Sequence, residues 1–455
     1  MMLPTRKVLL CGFIVVLALG GPLPAGEASA GSGRNWPQYG GPKRNGVSDE
    51  TGWKVGWSAG AGPKVLWTAE VGGGFSSLAV VGGRVYTLGT GGEGTGRRKA
   101  GPSAVVCVNA ADGQIVWRKP LGGGDPAGTP AVDGGSVFAV ARDGTVGCLD
   151  AADGNIRWQT SLKGDHGVQF GGWQIACSPL LFDAKTIVLD AGKVIALDRQ
   201  TGKAVWSAGG SKAGYSSAVP FQLGGKTYVT TFNGAGLGVV DAVAGKEVAS
   251  AGWKTGFDVN AALPMIDGEH IFICSGYGRG ASLYRFDGSQ LAQIYDRKVL
   301  RSHCNGPVLI GGHLYGLDGQ GGSNGSLQCV EMKSGQVKWS APMKCGAMIA
   351  AGDKLIVQAA DGELVIAEAS PAAYKELARA RVLTGQCWTA PAIADGRIYC
   401  RSHAGTLVCL DPAQAGDGKP AGAAPGKAGP ARSDRPAKRA KAPARPPLPP
   451  MGGLE

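Results

Sequence analysis

One short pattern recurs along most of the chain. The segment Cys148–Trp158 reads CLDAADGNIRW, and it matches CVNAADGQIVW upstream, ending at Trp117, and CVEMKSGQVKW downstream, ending at Trp339. Each copy predicts an apolar strand, a glycine-containing turn and a second strand that carries the tryptophan. A chain of 455 residues built this way is expected to form a repeat architecture rather than several unlike domains.

Each full repeat predicts four antiparallel strands. Its second strand reads GRVYTL, GSVFAV, GHLYGL or GRIYCR in different copies. Glycine pairs such as Gly82–Gly83 supply the positive φ values that two-residue hairpins require. Trp117, Trp158 and Trp206 follow one another at intervals of about 40 to 50 residues, which is typical of propeller blades.

The last repeat lacks its fourth strand. It stops near Pro412 after a third strand, whereas Gly62–Val71, GPKVLWTAEV, matches a fourth strand that has no first three of its own. We therefore predict an all-β, eight-bladed propeller over residues 63–412, closed by the N-terminal strand. The repeated tryptophans are interpreted as structural residues that pack between blades. They are Trp67, Trp117, Trp158, Trp206 and Trp339.

The N-terminus predicts export. Arg6 and Lys7, a short apolar run and small residues up to Ala30 form the three parts of a secretory signal over residues 1–30. We expect a periplasmic or cell-envelope protein with no membrane span in the mature chain. Residues 31–62 are then a lead-in segment to the propeller.

The C-terminus differs in composition from the repeats. Residues 413–455 are rich in Pro, Ala and Lys, and their eight Lys and Arg against three Asp and Glu contribute +5 to the net charge of +12. Such a segment cannot bury enough apolar surface to offset its ordering entropy, so we expect a disordered tail. The tail is suited to contact anionic surfaces; nucleic acid is not an expected partner of an exported chain.

The repeat resembles the pyrroloquinoline-quinone (PQQ) type of β-propeller. The shared features are the GG-x-VY strand, the L-x-ALD and TG strand pair with its tryptophan, the closing N-terminal strand and the lead-in NWPQYGGPKRNGVS, Asn35–Ser48. This resemblance implies one of two functions. Quinoprotein dehydrogenases of the superfamily oxidise alcohols or sugars with PQQ and calcium, whereas BamB-like members are non-enzymatic scaffolds in outer-membrane protein assembly.

The sequence departs from the dehydrogenase pattern. It has no adjacent cysteine pair, its blades are close to minimal length, and no residue matches the calcium ligands or the catalytic aspartate, so we predict no catalytic residue and no cofactor. We expect a non-catalytic scaffold that binds a protein or an envelope polymer. The alternatives are a PQQ- and calcium-dependent oxidoreductase and a small-molecule or metal binder at the mouth of the channel.

The longer loops favour one face of the propeller for binding. Turns after first and third strands are short, whereas connections after second and fourth strands carry insertions such as LKGDHGVQFGGWQ and SGYGRGAS. Insertions on one face of a repeat protein usually mark its binding side. Candidate binding residues on that face are His166, Trp173, Arg279, Arg301, His303 and Trp388.

Four cysteines each precede an inner strand near the mouth of the channel: Cys177, Cys304, Cys345 and Cys387. With His303 they suggest a site for a soft metal. The alternative is that small residues fit a crowded strand entrance. Cys107, Cys148, Cys329 and Cys409 share one repeat position that Ala196 and Val239 occupy in other copies, which indicates small, buried, inert thiols.

Overall fold

The repeats form eight four-stranded antiparallel sheets, the blades of a propeller. A computed structural model describes residues 35–58, 61–90 and 101–421 of the chain. The first strand of each blade lies next to the central channel, and the fourth strand forms the outer rim. In order, the strands of blades 1 to 4 are Ala79–Val81, Arg84–Thr90, Pro102–Asn109 and Ile115–Gly123; Ala131–Asp133, Ser136–Val140, Thr145–Asp150 and Ile156–Ser161; Leu180–Leu181, Thr186–Asp190, Lys193–Asp198 and Ala204–Gly209; and Val219–Leu223, Lys226–Asn233, Gly236–Asp241 and Lys246–Gly252.

The last blade combines both ends of the repeat region, which confirms the predicted closure. The strands of blades 5 to 8 are Met265–Asp267, His270–Ser275, Gly280–Phe286 and Leu291–Arg297; Val308–Ile310, His313–Asp318, Asn324–Glu331 and Gln336–Lys344; Ala347–Ala351, Lys354–Gln358, Glu363–Glu368 and Glu376–Arg381; and Ala392–Ala394, Arg397–Arg401, Thr406–Ala415 and Pro63–Glu70. Pro63–Glu70 pairs antiparallel with Thr406–Ala415. A 3₁₀ turn spans Gly256–Asp258, and within the described residues no helix is long and apolar enough to cross a bilayer.

Of the two terminal boundaries predicted from the sequence, only the start of the C-terminal tail lies among the described residues. The predicted signal peptide, residues 1–30, lies outside the described residues. The last strand continues past Pro412 to Ala415, and the Ala421 amide donates to the Val382 carbonyl at 2.9 Å. Residues 413–415, which the sequence assigned to the tail, therefore extend a strand of blade 8 beside Pro63 of the closing strand, and Ala421 bonds to the connection after blade 7; residues 422–455 lie outside the described part.

Tryptophans join neighbouring blades. The indole of Trp67 in blade 8 donates to the Ala110 carbonyl of blade 1 at 2.9 Å, and Trp117 donates to Ala151 of blade 2 at 3.1 Å. The turn glycine of the next blade lies flat against the ring: a Cβ on Gly154 would approach Trp117 to 2.6 Å. Trp158 and Trp339 donate to the next blade in the same way, and Trp206 lies against the turn glycine Gly245.

The lead-in segment passes around the inside of the ring. Trp36 exchanges backbone hydrogen bonds with Val80 of blade 1. Val47–Ser48 adds a fifth, parallel strand to blade 7, and the Glu50 carboxylate accepts from the amides of Asp395 and Gly396 in blade 8. These contacts lie on the side of the short first-to-second turns, so the lead-in closes the channel at that end.

Arg44 anchors the lead-in segment at the centre of the channel. Its side chain is fully buried, and its guanidinium donates to the carbonyls of Ser178, Pro179 and Ala218 at 2.5–2.8 Å. Burial lowers the pKa of this guanidinium to about 9, which still leaves it charged at neutral pH. One side chain of the lead-in thus ties together the inner strands of blades 3 and 4.

Replacing Arg44 tests this anchor. Arg44→Ala should lower the free energy of unfolding by about 3 kcal/mol, because it leaves buried carbonyls without donors. Lys43→Ala is the matched control, since Lys43 is exposed and pairs only with exposed Asp49; its expected effect is within about 0.5 kcal/mol. Urea denaturation measures both, and equal losses would show that Arg44 does not anchor the segment.

Candidate functional site

A cavity of about 190 Å³ lies at the mouth of the channel. It opens on the face that carries the second-to-third and fourth-to-first connections, which we call the loop-rich face. Tyr39 of the lead-in segment contributes to its lining, and the Tyr39 hydroxyl donates to the Asn305 amide oxygen at 3.2 Å. The next residues of the lead-in, Gly40, Gly41 and Arg44, are buried in the channel. The lead-in therefore closes the inner end of the cavity, which is blind and opens on the loop-rich face.

A series of neighbouring aromatic and imidazole rings runs along this cavity. Four of its members line the cavity, and Phe257 and His403 extend the series at its two ends. Adjacent ring centroids in the series are 4.2–6.2 Å apart, which is the range of favourable ring contacts. We call this series the aromatic arc; in order, its members are Phe257, Tyr277, His303, Trp388, Phe75 and His403. The rings come from connections within or after four different blades, 4, 5, 7 and 8, so the propeller assembles a single surface of rings from distant parts of the chain.

The hydroxyl groups in the cavity wall are engaged with the fold. Ser77, Thr129 and Ser178 line the cavity. The Ser77 amide donates to the Thr129 hydroxyl, and the Thr129 amide donates to the Ser178 hydroxyl, at 3.1 and 2.8 Å. The Ser77 hydroxyl donates to the Ala390 carbonyl at 2.6 Å. These bonds link adjacent blades around the channel. The Thr129 and Ser178 hydroxyls accept in them and keep their own protons, on a lining that is otherwise largely apolar.

Further donors on this wall come from Arg142, Tyr215 and His303. Arg142 lines the cavity, and its guanidinium donates to the Asp125 carbonyl at 3.3 Å. The Tyr215 hydroxyl accepts from the Trp173 amide at 3.1 Å, which leaves its own proton free to donate. The Gly321 amide donates to Nδ1 of His303 at 3.2 Å, so a neutral His303 carries its proton on Nε2.

Burial keeps these groups in defined protonation states. Desolvation lowers the pKa of His303, so the imidazole is neutral at pH 7. Desolvation also lowers the pKa of Arg142, although arginine remains charged at neutral pH. Burial raises the pKa of the Cys304 thiol to about 12. Within the described lining, Arg142 is therefore the group that carries a full charge at pH 7.

The backbone at the mouth is held in an uncommon conformation. Gln174, Phe257 and Tyr277 are non-glycine residues with φ of 58°, 61° and 53°. Each such residue costs about 1 kcal/mol or more, and left-handed non-glycine residues concentrate at binding and active sites. The neighbouring Trp173, together with Phe257 and Tyr277, exposes 38–76% of its surface. Exposed aromatic residues held in place by strained loops are typical of a binding surface.

The structure brings some of the predicted binding residues together and not others. Trp173, His303 and Trp388 line the cavity. Arg279 stacks over Trp253 at 3.4 Å and pairs with Asp296. The other two lie apart from the described lining: Arg301 forms a two-point ion pair with Asp318, and His166 contacts the Thr160 hydroxyl at 3.1 Å.

The four cysteines proposed for a metal do not converge. Cys304 lines the cavity, with its sulfur 3.3 Å from Nδ1 of His303. Cys177 and Cys345 are buried, and the Cys387 sulfur lies 3.7 Å from the Gly385 carbonyl. Among the described residues, no three His, Cys, Asp or Glu side chains form a group that could hold a metal ion. The ten cysteines from Cys107 to Cys409 are free thiols in this structure.

Sequence reasoning missed Phe75, Arg142, Tyr215 and Tyr277. A signal for two of them is present: GFSSLAV at Gly74–Val80 and GYSSAVP at Gly214–Pro220 place an aromatic residue and two serines at the same point before an inner strand. Arg142 and Tyr277 follow second strands in blades 2 and 5. The segment ARDGTVGCLD resembles SHAGTLVCLD in blade 8, but His403 stands there in place of Arg142, so the repeat does not mark the arginine. Only the closed ring shows that Arg142 and Tyr277 face the same cavity.

A family model described as outer membrane protein assembly factor BamB, of the PQQ-like repeat type, matches residues 47–247, 101–341 and 323–421. The chain belongs to this PQQ-like propeller family. The matched residues extend over nearly all of the ring, including the closing strand at Pro63–Glu70. No curated protein matches the chain.

Solved structures show the same fold at low sequence identity. Quinohemoprotein alcohol dehydrogenase from Comamonas testosteroni is 16% identical, with a TM-score of 0.57, covering 85% of this chain and 81% of that one. The computationally designed protein Ika8 is 14% identical, with a TM-score of 0.52, covering 77% and 99%. BamB from Moraxella catarrhalis is 16% identical, with a TM-score of 0.40, covering 76% and 84%. At these identities, the first two similarities establish the propeller fold and not a function.

The cavity does not suit PQQ held with calcium. Calcium takes six to eight oxygen ligands, usually including carboxylates. The described lining contains no Asp or Glu. Its serine and threonine hydroxyls bond to neighbouring backbone groups, and the Asn305 oxygen accepts from Tyr39. The donor set therefore disagrees with the calcium site that the dehydrogenase alternative requires.

The cysteines provide a test of this site. Because a thiol reacts as its thiolate, Cys304 should be alkylated by iodoacetamide at pH 8 at least about 10-fold more slowly than a free thiol whose pKa is about 8.5. Peptide mass spectrometry measures the alkylation rate of Cys304 in the folded protein and again after denaturation in urea. Rapid labelling of Cys304 in the folded protein would show that its thiolate is stabilised and would restore it as a metal-ligand candidate.

Proposed function

We propose that this protein is a non-catalytic binding propeller of the cell envelope, which holds a protein or envelope-polymer partner on its loop-rich face. The observation that carries the proposal is the aromatic arc around a blind, largely apolar cavity. Binding sites are typically concave and apolar, with a few polar groups that fix orientation. Arg142, Tyr215 and Nε2 of His303 supply such groups here.

The arrangement of the rings suits recognition of a partner. Aromatic residues supply a large contact area and are enriched where partners bind most strongly. Trp173, Phe257 and Tyr277 remain exposed at the mouth, so a partner that covers them removes apolar surface from water. The closed ring holds the surface in place, and a preformed surface avoids part of the ordering cost of association.

The chemistry of the lining favours binding over catalysis. A general acid or base needs a titratable group placed at the reacting atoms, with a pKa near the working pH. In the described lining, burial raises the pKa of Tyr39 and Cys304 to about 12, well above the working pH, and the Nδ1 lone pair of His303 is taken up by the Gly321 amide. The description of the matched family, an outer membrane protein assembly factor, supports an envelope partner.

The partner should depend on the aromatic arc. Trp388→Ala, or Trp173→Ala at the mouth, should reduce recovery of the crosslinked partner from envelope fractions by at least about 10-fold, because truncating a central aromatic residue commonly costs 2 kcal/mol or more of binding energy. Val243→Ser is the control, since Val243 is 83% exposed and lies in a third-to-fourth turn on the opposite face. Equal recovery from all variants would contradict the choice of face.

The oxidoreductase alternative has a separate test. Thermal unfolding of the purified protein, with and without PQQ plus calcium at saturating concentration, should give the same transition temperature, because a ligand raises it only by binding the folded state. A magnesium-for-calcium exchange is the control for general ionic effects. A clear rise with PQQ and calcium together, and with neither alone, would overturn the non-catalytic proposal.

A further inference from the structure

Arg142 is a cation without a carboxylate partner at an otherwise apolar cavity. Within the described part of the chain, no carboxylate oxygen lies within 4.0 Å of its guanidinium nitrogens: Arg142 is absent from the ion pairs that Arg279, Arg301 and Arg381 form on the same face. The nearby Asp125 carboxylate is instead bonded to Nε2 of His403 at 3.1 Å. The Arg142 guanidinium donates to the Asp125 backbone carbonyl at 3.3 Å, and the Asp125 carboxylate attracts it from beyond ion-pair distance.

A second donor accompanies Arg142 on the same wall. Arg142 and Tyr215 both line the cavity, and they interact electrostatically. Since the Tyr215 hydroxyl accepts from the Trp173 amide, its proton is available for an acceptor in the cavity. A guanidinium next to a hydroxyl donor is a combination that favours a carboxylate, because charge-assisted hydrogen bonds are stronger than neutral ones.

The apolar side of the cavity lies across from this pair. Phe75, His303 and Trp388 approach one another with centroid distances of 5.8 and 6.2 Å. A ring or branched apolar side chain would pack against them by dispersion and ring contacts. The cavity therefore combines a surface for an apolar group with an anchor for an anion.

The blind shape of the cavity decides how a polypeptide would enter. The lead-in segment closes the channel under Tyr39, so a chain that entered would have to stop or turn back. A chain that turned back would bring several backbone amides and carbonyls against a largely apolar wall, and unpaired polar groups are costly to bury. A chain end avoids that cost and carries its own carboxylate.

We propose that the cavity receives the C-terminal residue of a partner polypeptide, with a large apolar or aromatic side chain against the aromatic arc and the α-carboxylate against Arg142 and Tyr215. This inference rests on the proposed function, because it specifies the partner group that the loop-rich face holds. The proposed ligand is the end of a polypeptide, and the experiment below distinguishes it from a free aromatic acid of the same chemistry.

Calorimetric titration of the purified full chain with synthetic peptides tests the inference. The probe is a six-residue glycine and serine peptide that ends in phenylalanine with a free carboxylate, compared with the same peptide amidated at its C-terminus and with one ending in alanine. Amidation and the loss of the ring should each weaken binding by about 10- to 100-fold, as expected for a charge-assisted hydrogen bond and for a buried aromatic group.

Variants assign the effect to Arg142. Arg142→Gln should weaken binding of the free-acid peptide by about 10- to 100-fold and leave binding of the amidated peptide nearly unchanged. The effects of the variant and of amidation are then not additive, because both remove the same interaction. Arg157→Gln is the matched control, because Arg157 lies in the same blade and pairs with Asp150 on the outer rim. An unchanged melting temperature of Arg142→Gln shows that it folds; the amidation comparison on the unmodified protein needs no variant.

The outcomes are distinct. Equal affinity for the acid and the amide, or binding of 3-phenylpropionate without binding of any peptide, overturns the inference. If Trp388→Ala abolishes partner recovery while amidation and Arg142→Gln have no effect, the inference fails and the proposed function stands. If Trp388→Ala changes neither partner recovery nor peptide binding, both fail.

Discussion

The contact between a tryptophan of one blade and the turn glycine of the next determines the geometry of the whole ring. A four-stranded sheet leaves both of its faces to be covered, and in a propeller the neighbouring blades cover them. Trp117 does this through its ring, which lies against Gly154, and through its indole NH, which donates to Ala151. A side chain at Gly154 would collide with the ring of Trp117. The φ of Gly154, 74°, also favours glycine at this position. In blade 5, Tyr295 replaces the tryptophan and donates to the Met332 carbonyl at 2.7 Å.

A closed ring leaves an axial channel, and the lead-in segment determines what that channel becomes. Without a plug, inner strands would face a solvent-filled passage. Arg44 fills the passage and satisfies carbonyls of blades 3 and 4, while Val47–Ser48 extends the sheet of blade 7. The result is an asymmetric molecule, in which one end is sealed by main-chain and arginine hydrogen bonds and the other is a cavity lined by rings.

The fold could be predicted from the sequence because its determinants are local and repeated. Each tryptophan, turn glycine and alternating strand has the same position in its own blade, and the unmatched strand Pro63–Glu70 indicates how the ring closes. The cavity could be predicted only in part. Trp173, His303 and Trp388 were identifiable because they lie in or beside unusual connections. Arg142 was not, because it follows an ordinary strand in ARDG, and its role depends on which distant loops the ring brings opposite to it.

The cysteines show why position in the repeat does not reveal what a side chain contacts. Cys177, Cys304, Cys345 and Cys387 have equivalent places before inner strands. Cys304 reaches the cavity, whereas Cys345 packs so close to Gly319 and Gly325 that a Cβ on either would lie 2.5–2.7 Å from its sulfur. Burial raises the pKa of Cys177, Cys304 and Cys387 to about 12, and a metal would require the thiolate form. A small neutral thiol at a crowded strand entrance therefore serves packing better than ligation. With the thiols neutral, Arg142 is the charged group of the described cavity wall, and this charge supports the proposed anionic ligand rather than a metal cation.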